Sequence, residues 1–198
     1  IEGMSEDLLR FLDHHEISNA YICGHSLGGK VAMRFSCDHA SRVEKLIIAD
    51  IAPRIYPKEH HIPTLDALLG LELSSVRSRK DADDRLSGLI PNWAFRQFLL
   101  TNLVQTENRF MWKPNLGFLR NSIEGISSNP LQAGDEFRQP TLFIHGGKSG
   151  YLRMEHIPEI RSYFPSALFE VLPNAGHDVH VEDRLGFLTV LRDFLTPV

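Results

Sequence analysis

Residues Gly24-His25-Ser26-Leu27-Gly28 form a G-x-S-x-G pattern, in which a serine is held at a tight turn for nucleophilic attack. Glycines two positions to either side are expected to remove side chains that would collide there, leaving the Ser26 hydroxyl clear of the backbone. A serine hydroxyl is a poor nucleophile at neutral pH and needs a neutral imidazole within hydrogen-bond reach to take its proton. The chain offers 10 histidines. His177 is the best placed, because Asn174-Ala175-Gly176-His177 is a loop directly after the last predicted strand, at the carboxyl edge of the sheet where Ser26 must also lie. His180 is the nearest competitor and is expected to face solvent. The pairs His14-His15 and His60-His61 read as surface residues, and His145 sits at a strand end without the long loop that a base needs.

A triad also needs a carboxylate to fix the imidazole tautomer and stabilise the imidazolium. The loop after the penultimate strand, Gly146-Gly147-Lys148-Ser149-Gly150, contains no acid. Asp50, at the carboxyl end of the strand beside the nucleophile strand, is the best candidate, with a capping role in the turn before Pro53 as the alternative. Asp178 is too close in sequence to His177 to reach Nδ1, and Asp135 belongs to the exit of the cap described below. The backbone N–H of Leu27, at the start of the helix after the elbow, is the expected oxyanion donor. A second donor normally comes from a loop after an earlier strand, and no such strand precedes Ser26 here. His177, Asp178 and His180 make a poor metal signature without a third well-placed ligand, so no metal and no cofactor are expected.

The elements that must position these groups follow from hydrophobic period. Ser5 followed by Glu6 and Asp7 reads as an N-cap of a short amphipathic helix carrying Leu8, Leu9, Phe11 and Leu12. Ala20 to Cys23 is a short apolar run ending in Gly24, a buried parallel strand, and a helix follows from Leu27. Val43 to Ala49 forms the second strand. From residue 53 to 138 helical segments around Leu65–Leu73, Val76–Ile90 and Trp93–Val104 come without strands between them and predict a helical cap. The parallel pattern resumes with Thr141–His145, a helix to about Phe164, the strand Ala167–Leu172 and a last helix from about Glu182 to Leu195. The expected organisation is therefore an α/β-hydrolase core of residues 1–52 and 139–198 interrupted by a cap of residues 53–138. Within the cap, Trp93, Phe95, Phe98, Leu99 and Leu103 are candidates to roof an acyl pocket, with packing onto a core as the alternative for each.

Composition narrows the partners. Hydrophobic residues make up 42% and charged residues 23% of 198, ordinary globular values, so disorder and coiled coil are excluded. The formal charge of -4, with acids and bases interleaved, leaves no basic face for a phosphate backbone, and no nucleic-acid partner is expected. No apolar run approaches the roughly 20 residues that span a bilayer. Two cysteines without metal spacing, Cys23 and Cys37, favour a reducing compartment. Ile1 leads at once into a helix pattern and reads as an interior start. The nucleophile strand is accordingly expected to be an exposed apolar edge through which the chain self-associates.

From Met4 to the C-terminus the residues resemble the animal abhydrolase-domain-eleven family, and less closely the YbfF-type bacterial esterases. The resemblance rests on Gly24-His25-Ser26-Leu27-Gly28-Gly29-Lys30, Ile48-Ala49-Asp50-Ile51-Ala52-Pro53, Phe98-Leu99-Leu100-Thr101-Asn102-Leu103 and Pro173-Asn174-Ala175-Gly176-His177. It implies an eight-stranded α/β-hydrolase fold with a helical cap, hydrolysis of esters including lipid esters, a mitochondrial location in animals, and the acid at Asp50. The sequence departs from the family at Asp178, where an aromatic residue commonly follows the base. The expected function is hydrolysis of acyl or acylglycerol esters through an acyl-enzyme on Ser26. The competing expectations are a binding or scaffold protein that keeps the fold without the oxyanion loop, and carbon–carbon or haloperoxidase chemistry on the same triad.

Overall fold

A computed structural model describes residues 1–107 and 109–196, and of His60 only the backbone, so the surface position expected for its side chain lies outside the described residues. The chain divides into two compact units, residues 1–55 with 129–198, and residues 56–128.

The first unit is built on one parallel sheet of β1 (Ala20–His25), β2 (Val43–Ala49), β5 (Thr141–Gly146) and β6 (Ala167–Leu172), in that spatial order, the labels β3 and β4 falling to a hairpin of the second unit. Its inner strands are apolar on both faces, as parallel strands covered by helices must be. Ile47, Ala49, Leu142 and Ile144 cluster with Leu172, Ala175, Val179 and Phe187 on one face, and Val190, Leu191 and Phe194 pack against them. Val179 and Phe187 come from α9 (Val179–Glu182) and α10 (Arg184–Leu195). The intervening positions Leu46, Ile48 and Phe143 are also fully buried, and the Phe143 ring meets Phe164 edge-on at 5.5 Å just after α8 (Ile157–Tyr163). Each such side chain contributes about 1.5–3 kcal/mol relative to exposure, so these two layers dominate the stability of the unit.

Register carries the functional consequence. His25 lies beside Ala49, and Ala49 beside Ile144, so β1, β2 and β5 reach their carboxyl ends at one rim of the sheet. The residues that follow, Ser26, Asp50 and the loop after Gly146, therefore emerge side by side.

Three expectations are corrected in this unit. Helix α1 (Glu2–His14) starts three residues before Ser5, which is buried and whose hydroxyl has no hydrogen-bond partner among the described residues instead of capping the helix. Strand β1 lies at the sheet edge as expected, but the run Ala20–Cys23 is not buried, since Tyr21 and Cys23 are exposed. The cap does not run to residue 138, because Asp135 pairs with the buried Arg34 of α2 (Leu27–Asp38) at 2.5 Å and the Phe137 N–H donates to the Tyr163 carbonyl. These contacts tie residues 129–138 to the sheet unit.

The second unit comprises α3 (Ile62–Leu69), α4 (Arg79–Leu86), α5 (Trp93–Leu100), the antiparallel pair β3 (Leu103–Gln105) and β4 (Phe110–Trp112), α6 (Leu116–Asn121) and α7 (Ile123–Ser127). Side-chain caps fix two helix starts: Ser78 accepts from the Asp81 N–H and delays the helix expected from Val76 to Arg79, and Asn92 accepts from the Phe95 N–H and starts the next at Trp93 as expected. The helix expected across Trp93–Val104 ends at Leu100, and Leu103 and Val104 enter the hairpin instead. Leu103 is completely buried among Leu68, Leu86, Leu100 and Phe110, in a hydrophobic core belonging to this unit alone.

Candidate active site

Ser26 follows β1 and precedes α2, with φ 53° and ψ -120°, a backbone conformation that L residues rarely adopt. Such strain costs on the order of 1–3 kcal/mol and persists only where the surroundings enforce it. Here the Ser26 N–H donates to the Ala49 carbonyl of β2 at 3.1 Å, and the Ser26 carbonyl accepts from Gly29 and Lys30 at the start of α2. The turn is closed by glycine, though not by the symmetric pair that the motif predicts. A Cβ at Gly24 would collide with the Gly28 carbonyl, whereas one at Gly28 would meet nothing within 4 Å. The second close approach is at Gly29, where a Cβ would lie 2.5 Å from the Ile51 side chain and 3.1 Å from the Gly24 carbonyl. The motif's fifth position is therefore spatially open, and its sixth seats the helix on β2.

At the rim the three expected side chains meet. Ser26 Oγ lies 3.0 Å from His177 Nε2, and His177 Nδ1 lies 2.8 Å from Asp50 Oδ2. Asp50 is fully buried and, like Ser26, stands at positive φ, 49°. Asp tolerates that region better than most residues, and the Asp50 N–H is anchored on the Ile144 carbonyl at 2.8 Å. Its Oδ1 accepts the Gly146 N–H at 3.0 Å, and its Oδ2 accepts the Ser149 hydroxyl as well as the imidazole. These donors fill both oxygens of the carboxylate and fix its plane toward the imidazole.

The loop after β5 thus has a use that its lack of an acid concealed: it supplies donors to an acid from the neighbouring strand. Its glycines make room for the base. A Cβ at Gly146 would collide with the Gly176 carbonyl, and one at Gly147 would lie 2.7 Å from the backbone of Pro173. Further along, the Tyr151 N–H donates to Ser149 Oγ at 3.1 Å, and the Tyr151 ring stacks on the His177 imidazole with centroids 3.8 Å apart and planes 20° from parallel. Burial, with the negative charges of Asp50 and Asp178, pushes the Tyr151 hydroxyl above its ordinary pKa.

The peptide groups on either side of the base are also held. Glu182 accepts the Gly176 N–H at 2.9 Å and the Asp178 N–H at 3.1 Å, and His25 Nε2 lies 2.9 Å from the His177 carbonyl. None of Ser149, Tyr151, Glu182 or the contact of His25 was singled out from sequence. The only available signal was their placement within a few residues of the strand ends.

The other candidates separate clearly. His180 is exposed, with its ring 4.8 Å from that of His25, and Asp178 turns toward His25, Oδ1 to Nε2 3.9 Å, away from the base nitrogen. Buried His145 points its Nδ1 at no partner among the described residues. Leu27 opens α2 directly after the nucleophile, with its N–H at the helix start. In the second unit, Trp93, Phe95 and Phe98 are exposed, Leu99 packs against the local core, and Leu103 is part of that core.

The profile of the family described as alpha/beta hydrolase fold matches residues 1–184. The chain is 37% identical over 98% of its length to the sn-1-specific diacylglycerol lipase ABHD11 of Mus musculus, of which it spans 64%, and 31% identical over 98% to the esterase YbfF of Escherichia coli, of which it spans 74%. Among solved structures, a marine microorganism esterase superposes with a TM-score of 0.93 at 34% identity, covering 98% of this chain and 77% of that one. With a parallel sheet, a strained serine at its rim and a family profile that matches residues 1–184, the chain belongs to the α/β-hydrolase-fold family.

Proposed function

We propose that this chain carries the nucleophile, acid and base of a serine hydrolase that cleaves carboxylic esters, acyl or acylglycerol lipid esters in particular. The observation that carries the reading is the continuous series from Asp50 Oδ2 through His177 to Ser26 Oγ, with links of 2.8 and 3.0 Å. In this reading His177 Nε2 takes the Ser26 proton as Oγ attacks the ester carbonyl carbon, and Asp50 stabilises the imidazolium. The tetrahedral oxyanion is met by the Leu27 N–H. Collapse expels the alcohol, which takes the proton from His177, and leaves an acyl group on Ser26. Water, deprotonated by the same imidazole, attacks the acyl-enzyme and releases the carboxylic acid.

The lipid side of the proposal is supported by relatives named as a diacylglycerol lipase and as esterases. Residues 56–128 are then the helical cap, and the exposed aromatic rings of α5, Trp93, Phe95 and Phe98, are its candidates to meet an acyl chain. A mitochondrial site of action follows from the family resemblance. Self-association through β1 belongs to the same proposal, since its outer edge has no strand beside it among the described residues.

Turnover of p-nitrophenyl butyrate by the chain and its Ser26→Ala variant tests the chemistry. Wild-type release of nitrophenolate, lost in the variant with the fold intact by circular dichroism, supports the proposal. Equal turnover by both would refute it, and absence of turnover in the wild type would favour a binding role for the fold.

A further inference from the structure

Two peptide groups that flank the base are held by side chains from other elements: the 175–176 peptide through its Gly176 N–H by Glu182, and the 177–178 peptide through its Asp178 N–H by Glu182 and its His177 carbonyl by His25. Catalytic contacts made through Nδ1 and Nε2 fix where the imidazole points, but not where its Cα sits. The backbone contacts supply that second constraint. We propose that His25 and Glu182 are positioning residues, a clamp that sets the peptide of His177 so that Nε2 reaches Ser26; the proposal rests on the ester-hydrolase reading of the site.

The chemistry requires a particular state of His25. A carbonyl oxygen only accepts, so His25 must carry a proton on Nε2, and in the neutral ring Nδ1 is then bare. Burial lowers the pKa of His25, which favours the neutral ring that such a tautomer needs. The groups facing it are the imidazoles of His177 and His180 and the carboxylate of Asp178. His25 is also the residue before the nucleophile. One short stretch of backbone therefore carries both the hydroxyl and the group that anchors the base, so any shift of the elbow moves the two together. Glu182 works from the opposite side, and Gly176 admits it, since a Cβ there would lie 2.9 Å from Glu182 Oε1.

The test uses His25→Phe, which keeps the ring without the donor, His25→Gln, which keeps an N–H donor of similar reach, and Glu182→Ala. Expected is a fall in kcat of about 10- to 100-fold for His25→Phe and Glu182→Ala with KM within about twofold, because misplacing a reacting group by about 1 Å costs on the order of 100-fold. His25→Gln is expected to recover to within about threefold of wild type. Two readouts do not depend on turnover. Amide exchange in residues 174–178 accelerates at least about tenfold in the two impaired variants and not in His25→Gln, and nitrogen NMR of the wild type finds His25 protonated at Nε2. Failure of the hydrolase reading removes turnover from the wild type itself and leaves these two readouts to decide the clamp. Wild-type exchange in His25→Phe, equal impairment of His25→Gln and His25→Phe, or a His25 protonated at Nδ1 would each overturn it.

Discussion

At the scale of single residues, the site depends on a buried carboxylate held in place by three donors: the imidazole Nδ1–H, the Gly146 N–H and the Ser149 hydroxyl. Asp50→Asn fits the same left-handed backbone but presents an amide where an acceptor is needed, so kcat should drop on the order of 10³- to 10⁴-fold with little change in KM. Ser149→Ala removes one charge-assisted hydrogen bond and should lower kcat about tenfold. Steady-state kinetics of the two variants checks the ranking; a Ser149→Ala enzyme more impaired than Asp50→Asn would contradict it. A pH effect on stability follows from His25, whose pKa burial lowers below its usual 6.5. Above about 6.5 the ring is neutral in both folded and unfolded chains. As pH falls through that value the unfolded chain takes up the proton first, so this contribution to stability is lost toward the lowered folded pKa. The thermal midpoint should fall between pH 7 and pH 5, and fall less in His25→Gln. Of these residues, Ser26, His177 and Asp50 were legible because motif, loop and strand end coincide in the sequence. Ser149 and Glu182 were not, since nothing in their local pattern says which distant backbone group they will reach.

Secondary-structure elements matter here for where their ends fall. The parallel register of β1, β2 and β5 delivers three loops to one rim, and glycines decide how closely those loops approach. Gly24→Ala should destabilise the chain by at least about 2 kcal/mol, the cost of overpacking against rigid backbone. Gly28→Ala, with open space at Cβ and a helical position, should be neutral or stabilise by up to about 1 kcal/mol. Urea unfolding of both variants reads the contrast, and equal losses would show that the elbow is not closed in the asymmetric way described. Gly146→Ala should behave like Gly24→Ala and also abolish activity, because the Gly176 carbonyl before the base occupies the space its Cβ would take. The strands were readable from apolar runs bounded by turn residues, β2 and β6 to the residue. The short hairpin of the second unit was not, since three-residue strands such as Leu103–Gln105 are too short to declare a period.

For the whole molecule, the division into a sheet unit and a helical unit was visible as a change of pattern, but the rear boundary was not. Residues 129–138 carry no strand or helix signal, and it is the ion pair of Asp135 with Arg34 that assigns them. The chain spans 64% of the length of the mouse lipase it resembles, and β1 presents Tyr21 and Cys23 on an edge strand. An unpaired strand edge recruits other strands, so the chain should elute as a dimer or larger species in light-scattering chromatography, with Tyr21→Lys shifting it toward monomer. A monodisperse wild-type monomer would refute this. The central claim is that one serine, activated by one histidine, is the nucleophile. Its most direct test is mass-spectrometric mapping after treatment with a fluorophosphonate probe. A phosphonate is expected on Ser26 in the wild type and none in His177→Ala; a modified residue elsewhere, or labelling of Ser26 undiminished without His177, would rule out that nucleophile.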